Sequence, residues 1–309
     1  MRLRKAFTLV EVLLATTIAG GAAAFMIGTL VRQQKFYSSA GASLDSHAQL
    51  RDAADVLTTD IRSAAVALLG LPVMRDSAIE MFTTIATSVV CTAPSATAAT
   101  FPPAVLASGT TLTSMLAMPD TGDIALVYTY PPGLPDSGSW EALRIGAFNT
   151  RSVISGCSVA TGFTTDADAT GTGTAFGVTF TSAPARALAP GLPVHFVRRA
   201  RYSLYKSSDN KWYLGYRRCS PSGSSACSAI QPVSGPYDPY SSTAASGLAF
   251  RYFDAAGTPL GPTALSNEVA RVDITIRGRS ARNANLAGDA VTSYRDSIVM
   301  SVSPRNRIR

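Results

Sequence analysis

The chain has little of the chemistry on which most enzyme active sites depend. It contains two histidines, His47 and His195, among 309 residues, which leaves little scope for a histidine-based site. It also lacks the GxSxG, Walker-type, GxGxxG and HExxH patterns that identify many hydrolases, nucleotide-binding proteins and metalloproteases. These absences predict a protein that is not an enzyme and that carries no cofactor.

Charge is also scarce. Charged residues make up 15% of the chain and hydrophobic residues 46%, which is typical of an ordered protein with a membrane segment rather than a disordered chain. The formal net charge is +7, to which residues 1–5 contribute three basic side chains and the tail contributes Arg305, Arg307 and Arg309. Basic tails can bind nucleic acid, but they are more often simply solvated. We therefore expect no nucleic-acid partner.

Only four cysteines are present, Cys91, Cys157, Cys219 and Cys227. An even number suits disulfides in an exported domain, and four cysteines allow three pairings. Because the residues between Cys219 and Cys227 are turn-forming, we predict that these two pair and that Cys91 pairs with Cys157. A zinc site is the alternative, but the chain has no CxxC pair, so we expect no metal.

The first 31 residues have the opposite character to the rest. Residues 1–5 are basic, and residues 7–31 form an apolar run whose only charge is Glu11. The run is long enough to cross a bilayer, and the basic residues place the N-terminus in the cytoplasm and the remainder outside. A secretory signal peptide is an alternative, but it has a shorter apolar core than this run, with a cleavage site after it. A simple anchor fits the length but gives no reason for Glu11, because an ionisable residue within a span is costly without a partner.

The segment that starts Lys5-Ala6-Phe7-Thr8 and continues to Glu11 resembles the processing site of type IV prepilins and pseudopilins. The resemblance implies that a prepilin peptidase cuts between Ala6 and Phe7 and methylates the new N-terminus. Ala6 stands where the family favours glycine. Glu11 would become the fifth residue of the mature chain and would pair with the N-terminal amine of Phe7 in a neighbouring subunit.

An amphipathic helix is predicted after the span. Apolar residues recur at spacings of four and three at Leu50, Ala54, Leu57, Ile61, Ala64 and Leu68. Polar residues fill other positions at Asp45, Arg51, Asp52, Asp55, Asp60 and Arg62. Gly70 and Pro72 predict the C-terminal end, so we expect one helix from Phe7 to Leu69, with a bend or weak point near Gly41. Its second half should pack on a sheet.

Alternating apolar residues predict the strands that follow. Candidate strands lie at 85–91, 124–130, 142–148, 153–159, 194–197, 202–204, 212–214, 248–252, 270–277 and 298–302. Residues 207–210 and 254–257 are predicted turns, and a long stretch after 91 and residues 161–177 are predicted loops. Residues 166–171 resemble the start of a calcium loop, but its twelfth position is Gly177 where a glutamate is required.

Strands after one long helix imply an α+β fold with the helix packed on an antiparallel sheet. Residues 47–65, 247–254, 269–277 and 302–306 are also similar to PilW-type minor pilins and J-type pseudopilins. The resemblance implies a type IV pilin-like architecture. Its parts would be a leader at 1–6, a transmembrane helix at 7–31, an amphipathic extension at 32–70 and an exported β-rich head at 71–309.

The same resemblance implies a function in assembly, as a minor pilin with a priming or tip role in a type IV pilus. Its partners would be other pilin or pseudopilin subunits, prepilin peptidase and the inner membrane. The chain would first be a single-pass inner-membrane protein with a periplasmic head and then part of a pilus at the cell surface. A J-type pseudopilin of type II secretion, a subunit of a DNA-uptake pilus and a membrane-anchored exported enzyme are the alternatives.

Overall fold

The chain begins with one long helix and continues as a large antiparallel sheet. A computed structural model describes residues 8–131, 133–134, 137–151, 165, 175–220, 226–242, 246–286 and 290–305. The helices are α1 Leu9–Ser63 and α2 Val66–Leu69. The strands are β1 Val73–Met74, β2 Ala78–Val89, β3 Thr92–Ser95, β4 Ala98–Phe101, β5 Ser114–Met115, β6 Ile124–Thr129, β7 Ser139–Arg151, β8 Ala175–Phe180, β9 Pro193–Lys206, β10 Trp212–Arg218, β11 Gln231–Tyr237, β12 Leu248–Phe253, β13 Pro259–Leu260, β14 Arg271–Leu286 and β15 Ala290–Val302. This is the predicted α+β fold.

Helix α1 is about 80 Å long at 1.5 Å per residue and passes through Gly41 without ending there. It ends at Ser63, so the prediction of one helix as far as Leu69 is wrong. The reason is that neighbouring segments take the backbone groups that would continue it. The Ser63 carbonyl accepts a hydrogen bond from Thr84 Oγ1 at 2.9 Å, and the Ala65 N–H donates to the Phe82 carbonyl at 2.9 Å.

The short helix α2 ends at the predicted glycine. The Gly70 N–H donates to the Val66 carbonyl at 2.8 Å, and Gly70 has a φ of 64°, a conformation that side-chain-bearing residues rarely adopt. A Cβ at this position would lie 2.3 Å from Ser266 Oγ. Gly70 is therefore needed both for the turn and for the close approach of the Ser266 segment.

The covered half of α1 follows the predicted apolar stripe. Five of the six predicted residues are buried, namely Leu50, Ala54, Leu57, Ile61 and Ala64. Leu68 is 42% exposed because it lies on α2, beyond the point where α1 ends. Asp60, predicted among the polar positions, is only partly exposed, and Tyr202 Oη donates to its Oδ2 at 2.5 Å.

Strand β9 lies at the centre of the sheet. Along one edge it pairs with β2, and along the other it pairs first with β6 and then with β10. From β6 the sheet continues through β7, β8 and β4 to β3, which we call the outer arm. From β10 it continues through β11, β14 and β12 to β13, with β15 on β14, which we call the helix arm. The two arms meet at the middle of β9.

Each arm has its own hydrophobic core. The helix-arm core packs Leu57 and Ile61 of α1 against sheet residues such as Ile274. The outer-arm core includes Phe101 and Phe196, whose rings lie 5.2 Å apart in an edge-to-face arrangement. One continuous sheet therefore carries two large cores beside smaller clusters, and α1 contributes to the first of them.

The strongly alternating segments form strands where they were predicted, in β6, β7, β9, β10, β12, β14 and β15. Strand β2 begins at Ala78, earlier than predicted, and β8 begins at Ala175, inside a predicted loop. The predicted strand at 153–159 lies outside the described residues. Strands β1, β3, β4, β5, β11 and β13 were not predicted, since they are short or their sequences do not alternate.

Candidate functional site

The N-terminal half of α1 stands clear of the rest of the protein. Nearly every residue from Thr8 to Ser38 is exposed, and the head begins to cover the helix at Ser39. Large apolar side chains are among the exposed ones, such as Phe25 at 73%. Within the described part of the chain, α1 is the one helix long and apolar enough to span a membrane. A bare apolar helix of this kind is compatible with a single-pass anchor.

Glu11 lies in the first turn of this helix and has a local partner. Thr8 donates to Glu11 Oε2 through both its backbone N–H and its hydroxyl, each at 3.0 Å. In return, the Glu11 N–H donates to Thr8 Oγ1 at 3.3 Å. This is a capping box, which satisfies two backbone donors at a helix start. This capping box was not predicted from the sequence, although threonine followed three residues later by glutamate is its signal.

The predicted processing residues, Ala6 and Phe7, lie outside the described residues. Every hydrogen bond that joins the Glu11 side chain to a described residue uses Oε2. Its other carboxylate oxygen, Oε1, therefore has no hydrogen-bond partner among the described residues. The carboxylate is held at the very start of the helix with one oxygen in use.

The disulfide between Cys219 and Cys227 is present in the head, just after β10. Cys91 is fully buried and is also disulfide-bonded, and its predicted partner Cys157 lies outside the described residues. Glu80 approaches the sulfurs of Cys219 and Cys227 closely enough to suggest a metal site. Both sulfurs are engaged in the disulfide, so neither supplies the thiolate that zinc requires.

A buried cluster of charges joins the two arms of the sheet. Arg198 on β9 binds Asp123 at 2.7 Å, and Arg218 at the end of β10 binds the same carboxylate at 3.2 Å. Arg199 pairs with Glu80, which is almost fully buried. Removing charges from water is costly unless they are paired, so these mutual contacts are what allow the cluster to be buried.

The same cluster extends to the surface at Asp120. Arg218 contacts its carboxylate at 3.0 Å, and this hydrogen bond is the main cause that lowers the pKa of Asp120. Asp120 and Asp123 therefore face two arginines, Arg198 and Arg218. Glu80 and Arg199 pair separately, since neighbouring residues of a strand point to opposite faces of the sheet. The cluster neutralises itself and joins strands, and it leaves no unpaired acid or base for catalysis.

The two histidines lie in different structural contexts. His195 sits on β9 with its ring 4.9 Å from that of Trp140, and burial lowers the pKa of its imidazole. His47 lies on α1 and faces β15, with Nδ1 2.9 Å from Asp296 Oδ2 and Nε2 3.2 Å from Tyr294 Oη. Each histidine contributes to packing between elements, and the fold does not bring them together.

One groove of the described surface lies between the β1–β2 turn and strands β12 and β13. It has a volume of about 830 Å³, and its walls are mainly apolar, including Met74, Phe250 and Leu260. Tyr252 Oη, the polar atom of one wall, donates to the Arg75 carbonyl at 3.0 Å. Burial raises the pKa of that phenol. The charged residues that line the groove are Arg75, Asp76 and Arg251.

The calcium-like segment gains no support from the described residues. Residues 166–174 lie outside them, and Gly177, the position that should supply a glutamate, lies within β8 opposite Thr100 and Asn149. A glycine in a strand has no side-chain oxygen to offer a cation.

Together these observations define a class of protein, with one long, bare apolar helix joined to a disulfide-bonded antiparallel head. A comparison with family models, curated proteins and solved structures finds no match. The function is therefore inferred from the geometry of the chain and from the motif around Glu11.

Proposed function

We propose that the chain is a minor pilin of a type IV pilus, processed between Ala6 and Phe7 and assembled through α1. The observation that carries this proposal is the bare apolar half of α1 with a carboxylate in its first turn. A helix that served only as an anchor would gain a capped first turn from Glu11, but a neutral capping residue would give this without a charge that opposes insertion. A helix that packs among identical or related helices can use the charge to choose a partner.

In this mechanism Glu11 receives the N-terminal amine of Phe7 from a neighbouring subunit. The capping box supports the proposal because it fixes the carboxylate while leaving Oε1 without a described partner. An amine and a carboxylate are each costly in hydrocarbon, and pairing them removes most of that cost. Thr8 is then a positioning residue, since it holds Glu11 through two hydrogen bonds.

The attachment of the head also suits a filament subunit. The second half of α1 packs on β11, β14 and β15, and exposure of the helix begins to fall at Ser39. Because α1 is continuous across both halves, the position of the bare half fixes the position of the head. Helix packing in a filament core would thus display the heads at regular intervals outside it.

The test compares Glu11→Ala with Glu11→Gln and with the control Thr17→Ala, a polar change of similar size farther along the same bare half. Mass spectrometry first establishes that all three chains begin at Phe7 and are present in the membrane at equal level. Both Glu11 variants should then be lost from sheared filaments, whereas Thr17→Ala should be retained. Normal incorporation of Glu11→Ala, or a mature chain that still begins at Met1, would overturn the proposal.

A further inference from the structure

A short segment of α1 belongs neither to the apolar run nor to the part that the head covers. It spans residues 32–38, between the last apolar residue, Val31, and Ser39, where the head begins to cover the helix. Arg32 and Lys35 are exposed on this segment. No acidic residue occurs between Glu11 and Asp45, so all charges of the segment are basic.

Two large aromatic side chains follow the basic ones. Phe36 is 69% exposed and Tyr37 is 72% exposed, with their ring centroids 6.0 Å apart. Aromatic side chains of this size bury about 150–250 Å² when they are covered. The head begins two residues later and leaves them open. Their exposure therefore points to a cover that the described residues of this chain do not supply.

The position of these side chains identifies the cover. Tyr37 lies six residues beyond Val31, which is about 9 Å along a helix. The headgroup layer on each side of a bilayer is about 5–8 Å thick beyond the hydrocarbon. When Val31 lies at the hydrocarbon edge, the backbone of Phe36 and Tyr37 lies at the outer limit of the headgroup layer. Helical side chains lean towards the N-terminus, so both rings extend back into that layer, where aromatic residues are favoured.

We infer that Arg32, Lys35, Phe36 and Tyr37 form an interfacial collar that binds the headgroups of a bilayer containing anionic phospholipid. The basic pair attracts phosphate and the aromatic pair sets the depth. Because the head begins at Ser39, the collar seats the head against the membrane surface. The inference rests on the membrane anchorage in the proposed function, but it adds a binding surface and a lipid class.

The test measures depth in the full chain reconstituted into vesicles of phosphatidylcholine, with or without phosphatidylglycerol. A spin label is placed at Ser38→Cys beside the collar or at Ala22→Cys within the apolar run. The described cysteines are all in disulfides, so the introduced thiol takes the label. Accessibility to oxygen and to a water-soluble nickel complex then reports the depth of each label.

The Ser38 label should lie at the outer limit of the headgroup layer, and deeper in the anionic vesicles than in the neutral ones. Phe36→Ser with Tyr37→Ser should move it outward by about one helical turn, roughly 5 Å. Arg32→Gln with Lys35→Gln should abolish the difference between the two vesicle types. The control removes two exposed arginines from the apolar groove between the β1–β2 turn and strands β12 and β13. This variant, Arg75→Gln with Arg251→Gln, should leave the depth unchanged.

The two labels separate the possible failures. A Ser38 label in water while the Ala22 label lies in lipid overturns the collar and leaves the anchorage standing. An Ala22 label outside lipid overturns the anchorage itself. A Ser38 label that becomes protected only in assembled filaments overturns the lipid assignment, because the collar would then be a contact between subunits.

Discussion

The two halves of α1 share one backbone and have opposite surroundings. Leu13 is 57% exposed, whereas Leu57 on the same helix is fully buried. The bare half is apolar on all sides, and the covered half is apolar along one stripe only. The difference teaches that the same secondary structure serves two solvents: lipid requires an apolar surface all round, and a sheet requires a single apolar face.

The sharpest test of this comparison is a matched pair of truncations. Leu57→Ala should destabilise the head by about 2–5 kcal/mol, because it opens a cavity in the helix-arm core. Leu13→Ala, the same change on the bare half, should alter head stability by less than about 0.5 kcal/mol. Denaturation of the full chain in detergent micelles, followed by tryptophan fluorescence, measures both. Equal losses would erase the distinction between the halves.

Loss of the disulfide should destabilise the head and leave the bare half of α1 unchanged. Replacing Cys219 and Cys227 together by alanine should cost the head about 2–3 kcal/mol in the chain-entropy model. The bare half should keep its helix, since its hydrogen bonds are internal to α1. Hydrogen exchange in micelles can follow both regions in one experiment. A faster exchange of amides in the bare half would show that it depends on the head.

Loss of the capping box should destabilise the start of the bare half and leave the head unchanged. Thr8→Ala should cost about 1 kcal/mol of local helix stability, because the Glu11 N–H loses its acceptor. Exchange should accelerate at the first turn of α1, and the melting of the head should not change. Thr8→Ser keeps the hydroxyl and serves as the control. If Thr8→Ala lowers head stability as well, the two halves are coupled more tightly than their contacts indicate.

Asp60 gives the smallest effect and tests the covered half by pH. Burial raises the pKa of this carboxyl, although the hydrogen bond from Tyr202 opposes the shift. The folded state therefore binds its proton more tightly than the unfolded state, and this group's contribution falls as pH rises above the ordinary value near 3.8. Asp60→Asn should remove that fall and slightly raise stability at neutral pH.

Matched denaturation curves at acid and neutral pH measure this effect. Asp55→Asn, on the exposed side of the same half, is the control and should leave the pH dependence unchanged. The same pH dependence in Asp60→Asn and in the natural chain would show that Asp60 does not titrate differently in the folded state.

The parts of the fold that were predictable from the sequence are those with a strong period. The stripe from Leu50 to Ile61 and the alternation that begins β14 each match one face of a regular element. Strand β11 was missed because Pro232, Gly235 and Pro236 weaken its signal. The structure tolerates these residues because β11 meets β14 at a single pair of residues, which leaves most of that edge without a ladder to interrupt.

The charge cluster could not be predicted for a different reason. Arg198 is 75 residues from Asp123, and Arg218 is 98 residues from Asp120, so their meeting depends on the order of strands in the sheet. Asp60 was predicted to be a polar position of the helix without a partner in the sheet. The helix period gives the direction of its side chain, but it does not show that Tyr202 on the sheet is long enough to reach it. The capping box at Thr8 and Glu11 was within reach of the sequence, since its spacing is local.

The contact between α1 and β15 has a mechanical consequence. It runs from His47 and Asp296 to the far end of the helix, where the Arg305 N–H donates to the Arg62 carbonyl at 3.1 Å. A pull along the axis of α1 acts parallel to this interface, in shear, so it loads the contacts along this length together. The interface therefore has no single contact at which the head could begin to peel away, and tension on the helix is shared along the whole joint.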